Sequence, residues 1–245
     1  YSMKICNLFF FVMVFQLSSA AEKSGKIEPF ISVDAGIGLS NSFQKPDSTA
    51  LPNKVYASYS MDIQAGFQKG NFLFSSGIGV QTFSRRQKVV LYDTFDPFNP
   101  NDNAVSTDGY VRFENLYLNI PMTFSYRKQH AKKIYPIVEG GLAHLFFIGQ
   151  GFIVSKSVSS NYLKSDFTKV SDMPDYFRRY SLAGFVNVGL GIPLKRGFSY
   201  DIALNYTQHF FATTKNPGLI SYTKEFPYSF GIKTGFNYHF KRKTP

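Results

Sequence analysis

Four histidines, His130, His144, His209 and His239, are the side chains of this chain best suited to moving a proton near neutral pH. His144 and His209 are expected at strand ends on the side of the long connections, where a hydrolase or acyltransferase would set such a histidine beside a serine and an aspartate. Ser155, Ser181, Asp166 and Asp175 are available for that arrangement. His130 lies in a short basic segment, and His239 stands close to the end of the chain. No G-x-S-x-G elbow, H-E-x-x-H helix or C-x-x-C pair occurs, so spacing assigns no catalytic residue, no metal ligand and no cofactor. The expectation is a protein that is not an enzyme, with a lipid-modifying barrel enzyme built on His144 or His209 as the alternative.

Gly36-Ile37-Gly38, Gly77-Ile78-Gly79 and Gly189-Leu190-Gly191 resemble fragments of phosphate-binding loops. Each sits inside an alternating pattern with no helix after it, so they read as relief of crowding on an inner wall. Asp93, Asp96, Asp102 and Asp108 crowd the segment 92–109, yet their spacing fits no calcium loop. The segment 150–177 mixes Lys156, Lys164 and Lys169 with Tyr162, Phe167 and Tyr176, a composition suited to contact with a partner protein or a glycan.

Alternation of period two carries these residues. Ile31, Val33, Ala35, Ile37 and Leu39 interleave with Ser32, Asp34, Gly36 and Gly38; Tyr59, Met61, Ile63, Ala65 and Phe67 interleave with Ser60, Asp62, Gln64 and Gly66. After a tight turn at Lys69-Gly70-Asn71 the pattern resumes over 72–81. It recurs over 116–127, 134–148, 180–192, 198–207 and 228–240, which makes about eight strands. Pro121 inside the fourth removes a ladder donor and suggests a bulge there. Connections at 69–71, 128–133 and 194–197 are short, whereas those at about 40–54, 85–110, 150–177 and 211–225 are long and polar. Strict alternation of the two kinds puts every long connection at one end of a closed up-and-down sheet.

The two faces of the strands then decide the solvent. One set is bulky and apolar; the other is rich in Gly, Ser, Ala and Asn, which suits the narrow inside of a small barrel better than a water-facing surface. The fold class is therefore all-β: an eight-stranded antiparallel up-and-down transmembrane β-barrel, with a soluble lipid-binding barrel of inverted facing as the competing arrangement. Six charged residues fall on the small face: Asp34, Asp62, Arg127, Glu139, Asp201 and Lys233. Charges of both signs in so narrow a space should pair, giving a network that fills the lumen.

Composition agrees. The 27 Phe and 16 Tyr bring aromatics to 18% of the chain, as strands and interfacial girdles require. The formal charge of +11 is scattered over turns and ends with no basic stripe, which argues against nucleic acid and suits the phosphates of outer-membrane lipid and lipopolysaccharide. Residues 1–21, with Lys4, an apolar core over 8–17 and Ser18-Ser19-Ala20-Ala21, read as a cleaved export signal, leaving 22–245 as one barrel domain in a bacterial outer membrane. Cys6 lies in that signal, so packing and strand pairing hold the fold.

The elements around the fourth and fifth strands carry a resemblance. Leu116-Tyr117-Leu118-Asn119-Ile120-Pro121, a short basic turn, and Tyr135-Pro136-Ile137-Val138-Glu139-Gly140-Gly141 resemble the Bacteroidetes outer-membrane β-barrel family that includes the PorT-type proteins, and Phe236-Asn237-Tyr238-His239-Phe240 is similar to its closing strand. The resemblance implies an eight-stranded outer-membrane barrel. For some relatives it implies a part in gliding and type 9 secretion, and so envelope or secretion proteins as partners. It carries over no catalytic residue, because the resembling positions are architectural.

Overall fold

The computed structural model describes residues 27–44, 53–92, 106–128, 133–156, 162–164, 168–169, 178–213 and 225–240. The expected export signal at 1–21, and most of the acidic and lysine-aromatic connections, lie outside the described residues.

Eight long strands form the wall: β1 (Ile27–Gln44), β2 (Asn53–Lys69), β3 (Phe72–Tyr92), β4 (Ser106–Arg127), β5 (Tyr135–Lys156), β6 (Tyr180–Pro193), β7 (Phe198–His209) and β8 (Glu225–His239). Each pairs antiparallel with its neighbours in sequence, and β1 pairs with β8 from Phe30↔His239 to Gln44↔Glu225, closing the sheet on itself. Closure removes the edges over the height that all eight strands share, which is what a sheet surrounded by hydrocarbon requires.

Turn chemistry follows the residues available. Gly70 takes φ 58° between β2 and β3, and Arg196 and Gly197 take φ 60° and 86° between β6 and β7, so both tight turns use left-handed backbone. Facing is as the alternation predicts. Ile37, Ile63, Leu204 and Phe236 are 53 to 59% exposed on the outside, while Ser32, Asp62, Gln64, Asn187 and Asn237 are buried within. The soluble alternative, with bulky residues gathered around a common centre, is overturned by this facing.

Inward glycines make the narrow bore feasible. Gly38 and Gly231 stand opposite each other on β1 and β8, and a Cβ on Gly38 would lie 2.9 Å from the Gly231 Cα. On the concave side of a tightly curved sheet, cross-strand Cβ atoms converge, and the glycine pair gives the two backbones room.

Two expectations are corrected. Pro121 makes no bulge. It sits in register facing the lumen, and the β3–β4 ladder keeps one register on either side of it, from Ser76↔Met122 to Gly79↔Asn119. The Ser76 hydroxyl donates to the Pro121 carbonyl at 2.9 Å, adding a side-chain link beside the missing donor. The irregularity of β4 lies instead at Leu116/Tyr117, against β5.

Secondly, the connections expected at 85–110 and 150–177 are partly strand. β3 and β4 stay paired up to Tyr92↔Ser106, and β4 and β5 up to Gly109↔Lys156. Tyr162–Lys164 and Thr168–Lys169 add further pairing along β5. Beyond the bilayer neither face meets lipid, so these segments carry no alternation for the eye to find.

Candidate functional site

Among the described residues the fold concentrates its charged and polar side chains in the lumen, and the lumen is stratified. Toward the short-turn end lie the six charges expected from the sequence, and the structure brings all of them into one network. Asp34 on β1 and Asp62 on β2 are register partners. Lys233 on β8 reaches both, with Nζ 3.2 Å from Asp34 Oδ2 and 3.7 Å from Asp62 Oδ2, and lies 3.8 Å from Glu139 Oε1. Arg127 on β4 binds Asp201 on β7 at 2.7 Å and stands 3.7 Å from Glu139 on β5. Carboxylates outnumber cations four to two, so neutral donors complete their coordination.

Those donors are residues that charge-based reading passed over. The Gln64 amide donates to Asp34 at 3.1 Å while its carbonyl accepts from Ser75 at 2.7 Å and Thr123 at 3.1 Å. Ser125 and Asn187 donate to Glu139 at 2.9 and 2.6 Å, and Asn237 donates to Asp201 at 2.8 Å. Each sits at an inward position of the period-two pattern, so facing was the signal that could have found them. Next to the network a cavity of about 30 Å³, walled by Asp62, Asn119, Asn205, Thr207 and Lys233 among others, has space for a water molecule or two.

Toward the long-connection end the lumen changes character. Phe83, Tyr117, Leu145, Phe147 and Phe185 are buried there with Ala143 and Ala183. Tyr117 packs on Phe83 and Phe147 with ring centroids 5.8 and 5.5 Å away. These rings escape a rule that sends every large residue outward. The short-turn end is closed too, by buried Phe30, Leu73, Tyr135 and Ile137, with Phe30 stacked on His239 at 5.5 Å. Above the aromatic layer Arg85 binds Glu225 at 2.9 Å.

The histidines separate. His209 Nδ1 lies 3.0 Å from the hydroxyl of Ser181, one of the two serines available to the histidines by sequence. Both residues are 1% exposed, and the imidazole meets the Phe83 ring edge-on at 4.4 Å. A serine so enclosed has no surface on which to meet a substrate. His144 faces outward and pairs with the Tyr180 hydroxyl at 2.9 Å beside Phe146, as part of the aromatic girdle. Ser155 is paired through its backbone with Tyr110 of β4, and Asp166 and Asp175 lie outside the described residues. Among the described residues no cluster of three His, Cys, Asp or Glu is arranged to hold a metal ion.

No family model matches the chain, and no curated protein matches it. Solved structures do. Neisserial surface protein A is similar at 13% identity over 86% of this chain and 97% of that one, with a TM-score of 0.45. The outer membrane protein OprG from Pseudomonas aeruginosa is similar at 10% over 89% and 99%, TM-score 0.43. A major outer membrane protein from Thermus thermophilus is similar at 15% over 86% and 99%, TM-score 0.40.

The wall itself defines the class. An even number of strands, a closed ladder, an outward apolar belt with aromatic girdles, and short turns at one end only make this an eight-stranded outer-membrane β-barrel. It resides in a bacterial outer membrane.

Proposed function

We propose that this barrel is a non-enzymatic structural or accessory protein of the cell surface, a stand that carries its long connections outside the membrane in support of protein export or surface assembly. The observation that carries the reading is the unequal height of the wall. A membrane strand needs about 9–11 residues; β6, β7 and β8 have 14, 12 and 15, whereas β3, β4 and β5 have 21, 22 and 22. One side therefore continues about ten residues past the bilayer as a paired sheet, while the lumen beneath is filled by side chains and suits neither diffusion nor catalysis. The resemblance to the PorT-type family supports secretion as the process served.

Replacement of 87–110 by a four-residue turn tests this. The shortened chain is expected to keep the heat-dependent mobility shift of a folded barrel and to fail to restore surface display of secreted cargo in a deletion strain. Full restoration by the shortened chain removes the proposal.

The contact between Ser181 and His209 favours one second reading, a lipid-modifying enzyme with its dyad turned inward. It requires a change in lipid or lipid A masses between deletion and complemented strains that Ser181→Ala reverses. Unchanged masses dispose of it.

A further inference from the structure

The short-turn rim carries charge mostly of one sign. Lys128 and Lys133 flank the turn between β4 and β5, Lys195 and Arg196 form the turn between β6 and β7, and all four are exposed. Lys69 adds a fifth cation at the end of β2, and among the described residues of this rim the only acid is Glu28.

Each exposed pair adjoins an outward aromatic cluster. Phe72 packs on Phe124 and Tyr126 with ring centroids 5.7 and 5.4 Å away, and Lys128 follows Tyr126 by two positions. Tyr238 packs on Phe198 and Phe240 at 4.7 and 4.8 Å, and Arg196 precedes Phe198 by two. Rings of this kind settle at the level of lipid glycerol and carbonyl groups. A cation two residues further out along the strand then stands at the level of lipid phosphate.

We propose that the short-turn rim is a binding surface for anionic glycerophospholipid headgroups, with Lys128 and Lys133 forming one contact and Lys195 and Arg196 another. The height of the cations selects a lipid leaflet over an acidic protein. The two pairs occupy neighbouring short turns, β4–β5 and β6–β7, and each lies just beyond an outward ring cluster at the edge of the apolar belt, the level at which annular lipid presents its headgroups. Basic residues near a membrane surface attract anionic lipid, an effect that is screened by salt within about a Debye length.

The experiment uses the full barrel in phosphatidylcholine bilayers with spin-labelled phosphatidylglycerol or phosphatidylcholine as probe. Motionally restricted lipid at the protein surface is measured by electron paramagnetic resonance. Phosphatidylglycerol should be preferred by at least about threefold at 20 mM NaCl, and the preference should fall toward one at 0.5 M NaCl. The variant combining Lys128→Gln, Lys133→Gln, Lys195→Gln and Arg196→Gln should lose it, while Arg178→Gln with Arg179→Gln at the other rim should keep it. Equal association of both probes with the unaltered protein overturns the proposal and favours an acidic protein as the rim's partner. A preference that survives high salt, or that persists in the fourfold variant, also overturns it. The salt series needs no variant, so a failure of the fourfold variant to fold leaves the test intact.

Discussion

Asp34 and Asp62 face each other across the β1–β2 ladder with the Lys233 ammonium 3.2 Å from one carboxylate and 3.7 Å from the other. Two like charges at register positions are adverse, and the lysine from β8 together with the Gln64 amide makes them tolerable. The three strands β8, β1 and β2 are thereby joined by side chains across the seam where the barrel closes.

Because carboxylates exceed cations in this network, losing a cation should cost more than losing an acid. Arg127→Met leaves Glu139 and Asp201 without their guanidinium, and a loss of about 3–5 kcal/mol is expected from urea-driven unfolding in vesicles. Asp34→Asn relieves repulsion with Asp62 and leaves Lys233 with Asp62 and Glu139, so it should cost clearly less than Arg127→Met. A larger loss for Asp34→Asn than for Arg127→Met would contradict the account of the lumen given above.

The outward belt makes a different demand. Leu204 is 55% exposed near the middle of β7, between Tyr200 and Tyr206. Leu204→Arg should therefore destabilise the barrel in a bilayer by about 2–4 kcal/mol. The same substitution at Phe198, beside the turn, should cost about 0–1 kcal/mol, and depth-independent costs would speak against the membrane placement.

Glycine in the closing seam is open to a steric test. Gly38→Val would drive its side chain against the Phe230 carbonyl and the Gly231 Cα, with an expected loss of about 1–3 kcal/mol and slower folding into vesicles. Gly70→Ala meets no neighbour, so any loss there arises from its φ of 58° alone and should stay near 1 kcal/mol.

Conductance should be absent. With Phe83, Tyr117, Leu145 and Phe147 buried across the bore, planar-bilayer recordings of the unaltered protein should show no steady open level. Phe83→Ala with Tyr117→Ala should introduce one, and steady conductance before any substitution would mean that the aromatic layer does not seal.

Much of this was legible in the sequence because lipid imposes alternation. Ile63 beside Asp62 and Ile202 beside Asp201 differ enough in character for a period of two to assign their faces, and the six lumen charges could be gathered without coordinates. Where lipid imposes nothing, reading failed. Val89-Val90-Leu91 lies in a paired strand outside the bilayer and looked like loop. Phe83 and Phe185 are large yet inward, and position along the period-two pattern, as for Tyr117 on the face of Asn119 and Pro121, is what assigns them. The neighbourhood of Ser181 and His209 was open to naming because both fall at strand ends on the side of the long connections, but their enclosure depends on rings from β3 and β4, distant in sequence. Pro121 was misjudged because a side-chain hydroxyl on another strand supports its carbonyl, and no local rule contains that partner.

The seam between β1 and β8 also fixes an order of events. Fifteen residue pairs join the first strand to the last, so the opening segment has no partner on that side until the closing segment has been made and delivered. Insertion cannot proceed while translation is under way. The chain has to arrive at its destination whole, and it has to be kept from aggregating on the journey.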